Sequence, residues 1–236
     1  MSPFFKMHCR LKESNILLKS DNREALYSGL DAFRKHRIEL ETYLALHPQF
    51  AQATIPIEVE NNVPRIVAMM ADAAVRTGVG PMAAVAGALA DLAVEAMRKA
   101  GAQTAIVENG GEISAMGDEA FVVALHAGKS TLGSGLGFKI LPSDCPIGIA
   151  TSSATFSHAS SFGEADTATV FADTAALADA AATAICNAVV GENIERSIAE
   201  GLSIARRMKG IRGVLVTRQD YVGSVGWVPQ LVYIEE

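Results

Sequence analysis

The segment TATVFADTAALADAAAT, residues 167–183, changes from a strand pattern to a helix pattern within a few positions. Its first part, TATVFA, is apolar and rich in β-branched residues, which predicts a buried strand. Asp173 or Thr174 can then cap a long helix. Asp179 and Thr183 are spaced i, i+4, so they lie on one face of that helix. The segment therefore predicts a strand followed directly by a helix that carries a carboxylate and a hydroxyl side by side.

Outward from this segment, helices and strands occur in groups. We predict helices over 23–46, 64–78, 81–101, 174–190 and 194–208, and strands over 8–19, 103–107, 112–116, 121–126, 138–141, 147–151, 167–172, 213–217 and 231–234. Grouped elements favour an α+β fold with antiparallel sheets over a doubly wound parallel fold. A strand–helix–helix–strand grouping occurs roughly twice, which allows an internal duplication.

The composition excludes several classes of protein. The chain has 236 residues, of which 50% are hydrophobic and 19% charged, so it can form one large globular domain or two small fused ones. Its net charge is −6 and only 6% of its residues are aromatic. Nucleic-acid binding needs a concentrated basic surface or stacking platforms. We therefore expect a small-molecule ligand and no nucleic acid.

The cysteines and the apolar segments indicate the compartment. Cys9, Cys145 and Cys186 are far apart and form no CxxC pair, which argues against a disulfide framework or a structural zinc site. The N-terminus lacks a long apolar core, and the most apolar stretch, 79–97, is rich in alanine and contains acidic residues. We therefore expect a cytoplasmic protein with no membrane span.

The face formed by Asp179 and Thr183 suits a magnesium ion. Apart from Thr174, Cys186 and Asn187, the remainder of the predicted helix is Ala, Leu, Ile and Val, and a carboxylate among such residues is costly unless it is compensated. Mg²⁺ takes hard oxygen ligands and needs few from the protein when phosphates supply the rest. A polar outer face with one ordinary aspartate is the alternative.

The segment VENGGEI, residues 107–113, predicts a hairpin turn that a ligand can approach. Gly110 and Gly111 permit a tight turn or a close backbone approach. The turn is flanked by side chains that can donate or accept hydrogen bonds: Glu108, Asn109 and Glu112. A plain hairpin turn without a ligand is the alternative.

The segment TSSATFSHASSFGEAD, residues 151–166, predicts a loop that lines a ligand site. It combines small hydroxyl residues, beginning with Thr151 and Ser152, with one imidazole, His158. His158 can act as a general base or hold a phosphate oxygen. A solvated linker with a hydrogen-bonding structural histidine is the alternative. No GxSxG motif surrounds the serines, so we do not predict a hydrolase triad.

Taken together and in this order, these segments resemble an uncharacterised prokaryotic family of the ApbE-like superfamily, whose best-known members are FAD:protein FMN transferases. The matching stretches are AGALAD, ENGGEI, ATSSATFSHASSFGEAD and DAAAT, and the branch itself also shares YLALHPQF and GVGPMAAVAGA. The resemblance covers roughly residues 10–235.

The resemblance implies a T-fold-like, duplicated architecture: a single domain over 1–236, with two intertwined halves dividing near residue 100 and a ligand cleft between them. It implies that Asp179 and Thr183 bind Mg²⁺, together with a backbone carbonyl from residues 84–87. It also implies a set of residues around the flavin nucleotide: Asn109, Gly110, Gly111, Glu112, Thr151 and Ser152.

The chain departs from the transferase pattern at three positions. Ala86 and Ala88 stand where the transferases have lysine and tyrosine, and Glu112 replaces the aspartate of their Gly-Gly turn. The first two changes remove a charge and a ring from the expected flavin pocket.

Three functions therefore stay open. The first is a Mg²⁺-dependent enzyme acting on FAD or another phosphate-bearing cofactor, by FAD-dependent transfer or pyrophosphatase-like cleavage, with His158 as its base. The second is a non-catalytic flavin- or nucleotide-binding protein. The third is a pterin- or purine-binding T-fold enzyme that anchors the ring through Glu112 or Glu108. The alanine-rich helices also allow a homo-oligomer.

Overall fold

A computed structural model of the chain describes residues 4–124, 135–153 and 163–234. The helices are α1 (Arg23–Leu46), α2 (Pro48–Gln52), α3 (Arg65–Thr77), α4 (Val85–Lys99), α5 (Ala175–Ala188) and α6 (Ile194–Ala205). The strands are β1 (Phe5–Leu11), β2 (Ser14–Ser20), β3 (Ala105–Asn109), β4 (Glu112–Met116), β5 (Phe121–Ala124), β6 (Leu136–Ile140), β7 (Ile147–Ser152), β8 (Thr167–Ala172), β9 (Ile211–Arg218), β10 (Tyr221–Gly226) and β11 (Gln230–Tyr233).

Eight strands form one antiparallel sheet in the order β1-β2-β3-β4-β7-β8-β9-β10. The sequence of two strands, helices and two strands therefore occurs twice, first with α1 to α4 between β2 and β3, and then with α5 and α6 between β8 and β9. The predicted α+β fold with antiparallel sheets and packed helices is confirmed. Duplication, and a single domain dividing near residue 100, are compatible with this order and stay predictions.

The helices cover one face of the large sheet, and part of the other face packs against a second sheet. On the helical side, Leu18 and Val107 join a core with residues of α1, α3 and α4. On the opposite side, Ile113 and Phe171 pack against Phe138 of the three-stranded sheet β11-β6-β5. Because side chains alternate across a strand, neighbouring residues of the large sheet enter different layers.

The prediction of one strand over 8–19 is wrong, because this segment forms the hairpin β1–β2. The chain reverses at Lys12, which has a φ of 53°, although no glycine or proline marks the turn. Strand β10 was also missed, since its sequence YVGSVG contains two glycines, which lower the strand signal. Helix α2 lies in a stretch that we expected to be a loop.

The predicted helix over 81–101 begins differently from our expectation. Pro81–Ala84 forms a 3₁₀ turn, and the α-helix starts only at Val85. Gly87, in its first turn, lies so close to α5 that an added Cβ would be 2.2 Å from the Ala175 carbonyl oxygen. The helix start is therefore packed directly against the start of α5.

Among the described residues, no single helix has the length and apolar composition needed to cross a membrane, although Arg65–Thr77 and Pro81–Lys99, which meet at a bend of 107°, satisfy that test as a pair.

Candidate functional site

The hairpin β3–β4 turns at Gly110 and Gly111. Their φ angles are 73° and 121°, in the region that favours glycine, and the Gly110 N–H donates a hydrogen bond to the Asn15 carbonyl at 3.1 Å. A Cβ on Gly111 would meet no atom within 4 Å. The predicted hairpin is confirmed, and one side of its turn is open.

The pleat divides the residues beside this turn between two faces. Glu108 pairs with Ile113, and both line a cleft. Asn109 pairs with Glu112 on the opposite face. The buried Asn109 amide donates to the Ala86 carbonyl at 3.1 Å, which attaches the end of β3 to the start of α4.

Asp179 also contacts the start of α4. Its Oδ2 accepts a hydrogen bond from the Gly87 N–H at 3.0 Å. Helix starts carry unsatisfied N–H groups and the positive end of the helix dipole, so this contact stabilises a carboxylate. Asn109 and Asp179 therefore meet the same first turn of α4.

Asp91 of α4 makes the reciprocal contact with the start of α5. Its two carboxylate oxygens accept from the Ala175 and Ala176 N–H groups at 3.0 and 2.9 Å. The Ser114 hydroxyl adds a third hydrogen bond at 2.7 Å. Helices α4 and α5 are thus joined by a pair of carboxylates, each of which accepts hydrogen bonds from N–H groups at the start of the other helix.

Two carboxylates on this face of the sheet, Asp179 and Glu112, lie close together and have raised pKa values. Burial raises the pKa of Asp179 well above its usual range, and the nearby Glu112 charge raises it further. Burial also raises the pKa of Glu112 from 4.5 to about 7, with a smaller contribution from Glu108. Both residues keep some solvent-exposed surface, so neither carboxylate is fully enclosed. No lysine or arginine in the described part of the chain contributes to either shift.

The opposite face of the sheet borders a cleft of about 910 Å³. Strands β2, β3, β4, β7 and β8 form its floor, while residues 119–124 and Phe138 form a wall. Three of the predicted cofactor residues line it, namely Gly110, Gly111 and Thr151. The volume suits a small-molecule ligand.

The other predicted residues are not part of the cleft lining. Asn109 and Glu112 lie on the helical face, and Ser152 pairs with Ala168, which packs in the core beneath α5. Asp179 and Thr183 lie on α5 itself. The structure therefore brings the predicted residues to both faces of the sheet around the Gly-Gly turn. His158 lies outside the described residues.

Sequence reasoning missed Thr167 and Thr169 on the cleft floor, beside the predicted Thr151. Thr151 and Thr169 hydroxyls lie 2.9 Å apart, and Thr167 and Thr217 hydroxyls 2.7 Å apart. The alternation in TAT, residues 167–169, places two hydroxyls on one face and was the available signal. These groups add a polar surface to an otherwise apolar floor.

The donor set around Asp179 fits Mg²⁺. The i, i+4 pair of Asp179 and Thr183 offers two hard side-chain oxygens on one face of α5. No group of three or more His, Cys, Asp or Glu within the described ranges could hold a metal. An ion bound here would therefore need most of its ligands from other groups, such as the phosphates of a ligand.

Comparison with known proteins identifies the family. The model of the family described as AbpE bacteria matches residues 2–217. The chain belongs to this family. The resemblance stated from the sequence motifs is thereby confirmed.

Similar proteins align with this chain over nearly its whole length. A UPF0280 protein of Methanocaldococcus jannaschii is 41% identical over 231 residues, which cover 97% of this chain and 93% of the relative. A UPF0280 protein of Methanosarcina acetivorans is 39% identical over 231 residues, covering 98% and 90%.

Solved structures show the same fold at low identity. The flavinyl transferase ApbE of Pseudomonas stutzeri, in its apo form, superposes with a TM-score of 0.57 at 14% identity, and 94% of each chain is covered. The flavin transferase ApbE of Vibrio cholerae has a TM-score of 0.57 at 13% identity, covering 95% of this chain and 97% of that one. This member of the AbpE bacteria family therefore has an ApbE-like fold.

Proposed function

We propose that this protein is a Mg²⁺-dependent enzyme that acts on a flavin nucleotide, with FAD as the first substrate to test. Asp179 and Thr183 would hold the ion, and the cleft beside the Gly-Gly turn would hold the nucleotide. The observation that carries the proposal is the Asp179 carboxylate, which lies near a second carboxylate and has no cationic partner among the described residues.

The adjacency of the two sites supports this arrangement. Asn109 precedes the Gly-Gly turn and bonds to Ala86, while Asp179 bonds to Gly87. A phosphate held at the open side of the turn would therefore lie near the ion held by Asp179. The fold-mates from Pseudomonas stutzeri and Vibrio cholerae are named flavin transferases, which makes FAD the appropriate first ligand.

Each group has a defined task in this proposal. Bound Mg²⁺ would supply neutralisation of phosphate charge during an in-line attack on phosphorus. Asp179 and Thr183 would orient the phosphates, and Gly110 and Gly111 would let them approach the backbone. His158 remains our proposed general base. An attacking hydroxyl would form a new P–O bond as the pyrophosphate P–O bond breaks and AMP leaves.

A second candidate is a protein that binds flavin or nucleotide without chemistry. Ala86 and Ala88 support it, because they provide neither the lysine nor the tyrosine expected of the transferases, and Ala88 is completely buried. This candidate requires the ligand to be recovered intact.

A third candidate is a pterin- or purine-binding enzyme. The cleft favours Glu108 over Glu112 as the anchor of such a ring, since Glu108 lines the cleft and Glu112 lies on the helical face. Glu108→Gln should then weaken pterin binding much more than FAD binding. Equal effects on both ligands would remove this candidate.

Incubation with FAD and Mg²⁺, followed by chromatography of the nucleotides, tests the leading proposal. Wild type should release AMP, and Asp179→Asn should reduce the rate at least about a hundredfold, because the amide keeps its hydrogen bond to Gly87 but loses the charge. Asp118→Asn, an exposed carboxylate outside the site, is the matched control. Equal rates for wild type and Asp179→Asn would contradict the enzyme proposal, and bound but intact FAD would favour the binding protein.

A further inference from the structure

The hairpin β1–β2 carries a cationic cluster on the face that the cleft occupies. The cluster consists of Lys6, His8 and Arg10 of β1 and Lys19 of β2, and Lys6 and Lys19 line the cleft itself. His8 and Arg10 line a shallow depression that shares Leu17 and Glu108 with the cleft. The cluster is therefore continuous with the cleft floor.

Two of these charges are placed directly opposite each other. Lys6 pairs with Lys19 in the register of β1 and β2. Side chains at such positions have Cβ atoms about 5 Å apart, and like charges there destabilise the sheet. No described carboxylate lies within ion-pairing distance of either lysine, whereas Lys12, at the turn of the same hairpin, pairs with Glu41 at 2.6 Å. The two lysines repel each other without local compensation.

The rest of the cluster adds positive charge beside this pair. Arg10 makes one hydrogen bond, from its Nε to the Lys12 carbonyl, and forms no ion pair with a described residue. Glu108 is the nearest carboxylate on this face in the sheet register, because it pairs with Leu17, which in turn pairs with His8. Two lysines and one arginine thus stand on this face with Glu108, and Glu119 on the cleft wall is the other carboxylate among the described residues that lines the cleft.

Protection of the sheet edge does not explain the cluster. Charged side chains on an edge strand prevent unwanted pairing with other sheets. This reason applies to β1, but Lys19 lies on β2, which is paired on both sides. Lys19 lies opposite Lys6 and faces the cleft, which indicates that an anion from outside the chain binds beside the two lysines.

We propose that Lys6 and Lys19 form a binding site for a phosphate group at the end of the cleft, with Arg10 about 13 Å further along β1 as an additional positive charge. Lysine binds phosphate as a point charge and arginine through its planar donors. In the sheet register, Arg10 lies two strands from Gly110, about 10 Å away, whereas Lys6 and Lys19 lie four residues, about 13 Å, further along their strands. The lysine pair is therefore a second anion site, on the side of the turn opposite the threonine-bearing strands β7 and β8.

Two sources could supply this phosphate group. It belongs either to the nucleotide in the cleft, in which case the assignment rests on the proposed function, or to a second substrate that binds beside it. Binding of a phosphate group here does not require a metal at Asp179, so the site can be tested separately from the enzyme proposal.

The test is calorimetric titration with inorganic pyrophosphate in metal-free buffer that contains EDTA. Wild type should bind it, and Lys6→Ala/Lys19→Ala should bind at least about tenfold more weakly, since two charge-assisted contacts are lost. Arg206→Ala/Arg207→Ala removes the same charge from exposed residues at the end of α6 and should bind as wild type does. Equal affinity in wild type and the lysine variant, or no binding by wild type, would overturn the site.

Three further measurements test the source of the phosphate group, the independence of this site from Asp179, and the repulsion between the two lysines. Competition between pyrophosphate and FAD would assign the site to the nucleotide, and simultaneous binding would assign it to a second substrate. Asp179→Asn should keep its pyrophosphate affinity even if the enzyme proposal fails. The Lys19→Ala variant should also melt at a higher temperature than wild type at low salt, because relief of the repulsion stabilises the sheet; a lower melting temperature would contradict the uncompensated pair.

Discussion

The two faces of the large sheet differ in whether their polar residues have partners within the chain. On the helical face, the polar groups have fixed intramolecular partners, such as Asp91 with the start of α5 and Asp179 with the start of α4. On the cleft face, the glycine turn is open, and Lys6 and Lys19 have no ionic partner among the described residues. The helical face thus holds its polar groups in intramolecular contacts, whereas the cleft face leaves polar groups accessible to a ligand.

This difference shows why a short motif can serve two functions. In VENGGEI, Glu108 lines the cleft, while the adjacent Asn109 holds α4. The pleat separates them although they are neighbours in sequence. Substitutions on the helical face should therefore affect stability first, and substitutions on the cleft face should affect binding first.

The largest effect is expected at Gly87. In Gly87→Ala, the new Cβ would collide with backbone atoms of Ala175 and Ala176, so the variant should lose about 3 kcal/mol or more of unfolding free energy. Gly78→Ala is the control, since it meets no atom and should cost only about 1–2 kcal/mol through its φ of 80°. Urea denaturation measures both, and equal losses would contradict the close helix contact.

A smaller loss is expected when the reciprocal cap is removed. Asp91→Ala leaves two backbone N–H groups and the Ser114 hydroxyl without their acceptor, which should cost about 2 kcal/mol, after allowance for the desolvation of the carboxylate. The exposed Asp118→Ala should change stability by less than about 0.5 kcal/mol. Thermal unfolding measures the loss of stability in both variants. Equal melting temperatures for Asp91→Ala and Asp118→Ala would show that Asp91 does not cap α5.

The raised pKa of Glu112 predicts a pH dependence of stability. Between its ordinary value of 4.5 and its folded value of about 7, the folded chain binds the proton more tightly than the unfolded chain. Stability is therefore lost as pH rises through this window. Asp179 shifts in the same direction and adds to the loss.

The variant Glu112→Gln isolates this contribution. Its melting temperature relative to wild type should increase between pH 5 and pH 8, by about 2 °C or more. Added Mg²⁺ should reduce the loss in wild type if it binds at Asp179. Glu119→Gln, on the cleft wall, removes one charge without touching the helical face. If the difference in melting temperature between Glu112→Gln and wild type stays constant with pH, the pKa of Glu112 is not raised in the folded protein.

The smallest effect on stability is expected on the cleft floor. Thr151→Val removes one hydroxyl of the pair with Thr169 and should cost only about 1 kcal/mol. FAD affinity should fall by about three- to tenfold, because a hydroxyl contact to the ligand is lost. Thr42→Val, on the exposed face of α1, should leave affinity unchanged. Titration of both variants with FAD compares them, and equal affinities would mean that Thr151 does not contact the ligand.

Local signals predicted much of the fold. The apolar period of Arg23–Leu46, the boundaries of α3 at Pro64 and Gly78, and the Gly-Gly hairpin all appear in the structure where the sequence placed them. Thr174 caps α5 as expected, accepting from the Leu177 N–H. Each of these features depends on residues close together in the chain.

The remaining features depend on contacts between distant segments. The Lys12 turn of the first hairpin has no glycine, and the pairing of Lys6 with Lys19 follows only from that turn. The reciprocal caps join residues 84 or more positions apart. The division of predicted site residues between two faces likewise requires the sheet register, which no local pattern specifies.

Calorimetric titration of wild type and Asp179→Asn with FAD, with and without Mg²⁺, shows whether a metal at Asp179 assists binding of the nucleotide. We expect Mg²⁺ to strengthen FAD binding to wild type at least about tenfold and to have no such effect on Asp179→Asn. The variant should still melt cooperatively, which shows that it is folded. The same Mg²⁺ enhancement in both proteins, or no FAD binding by wild type under either condition, would contradict a metal-assisted flavin nucleotide site at the start of α4.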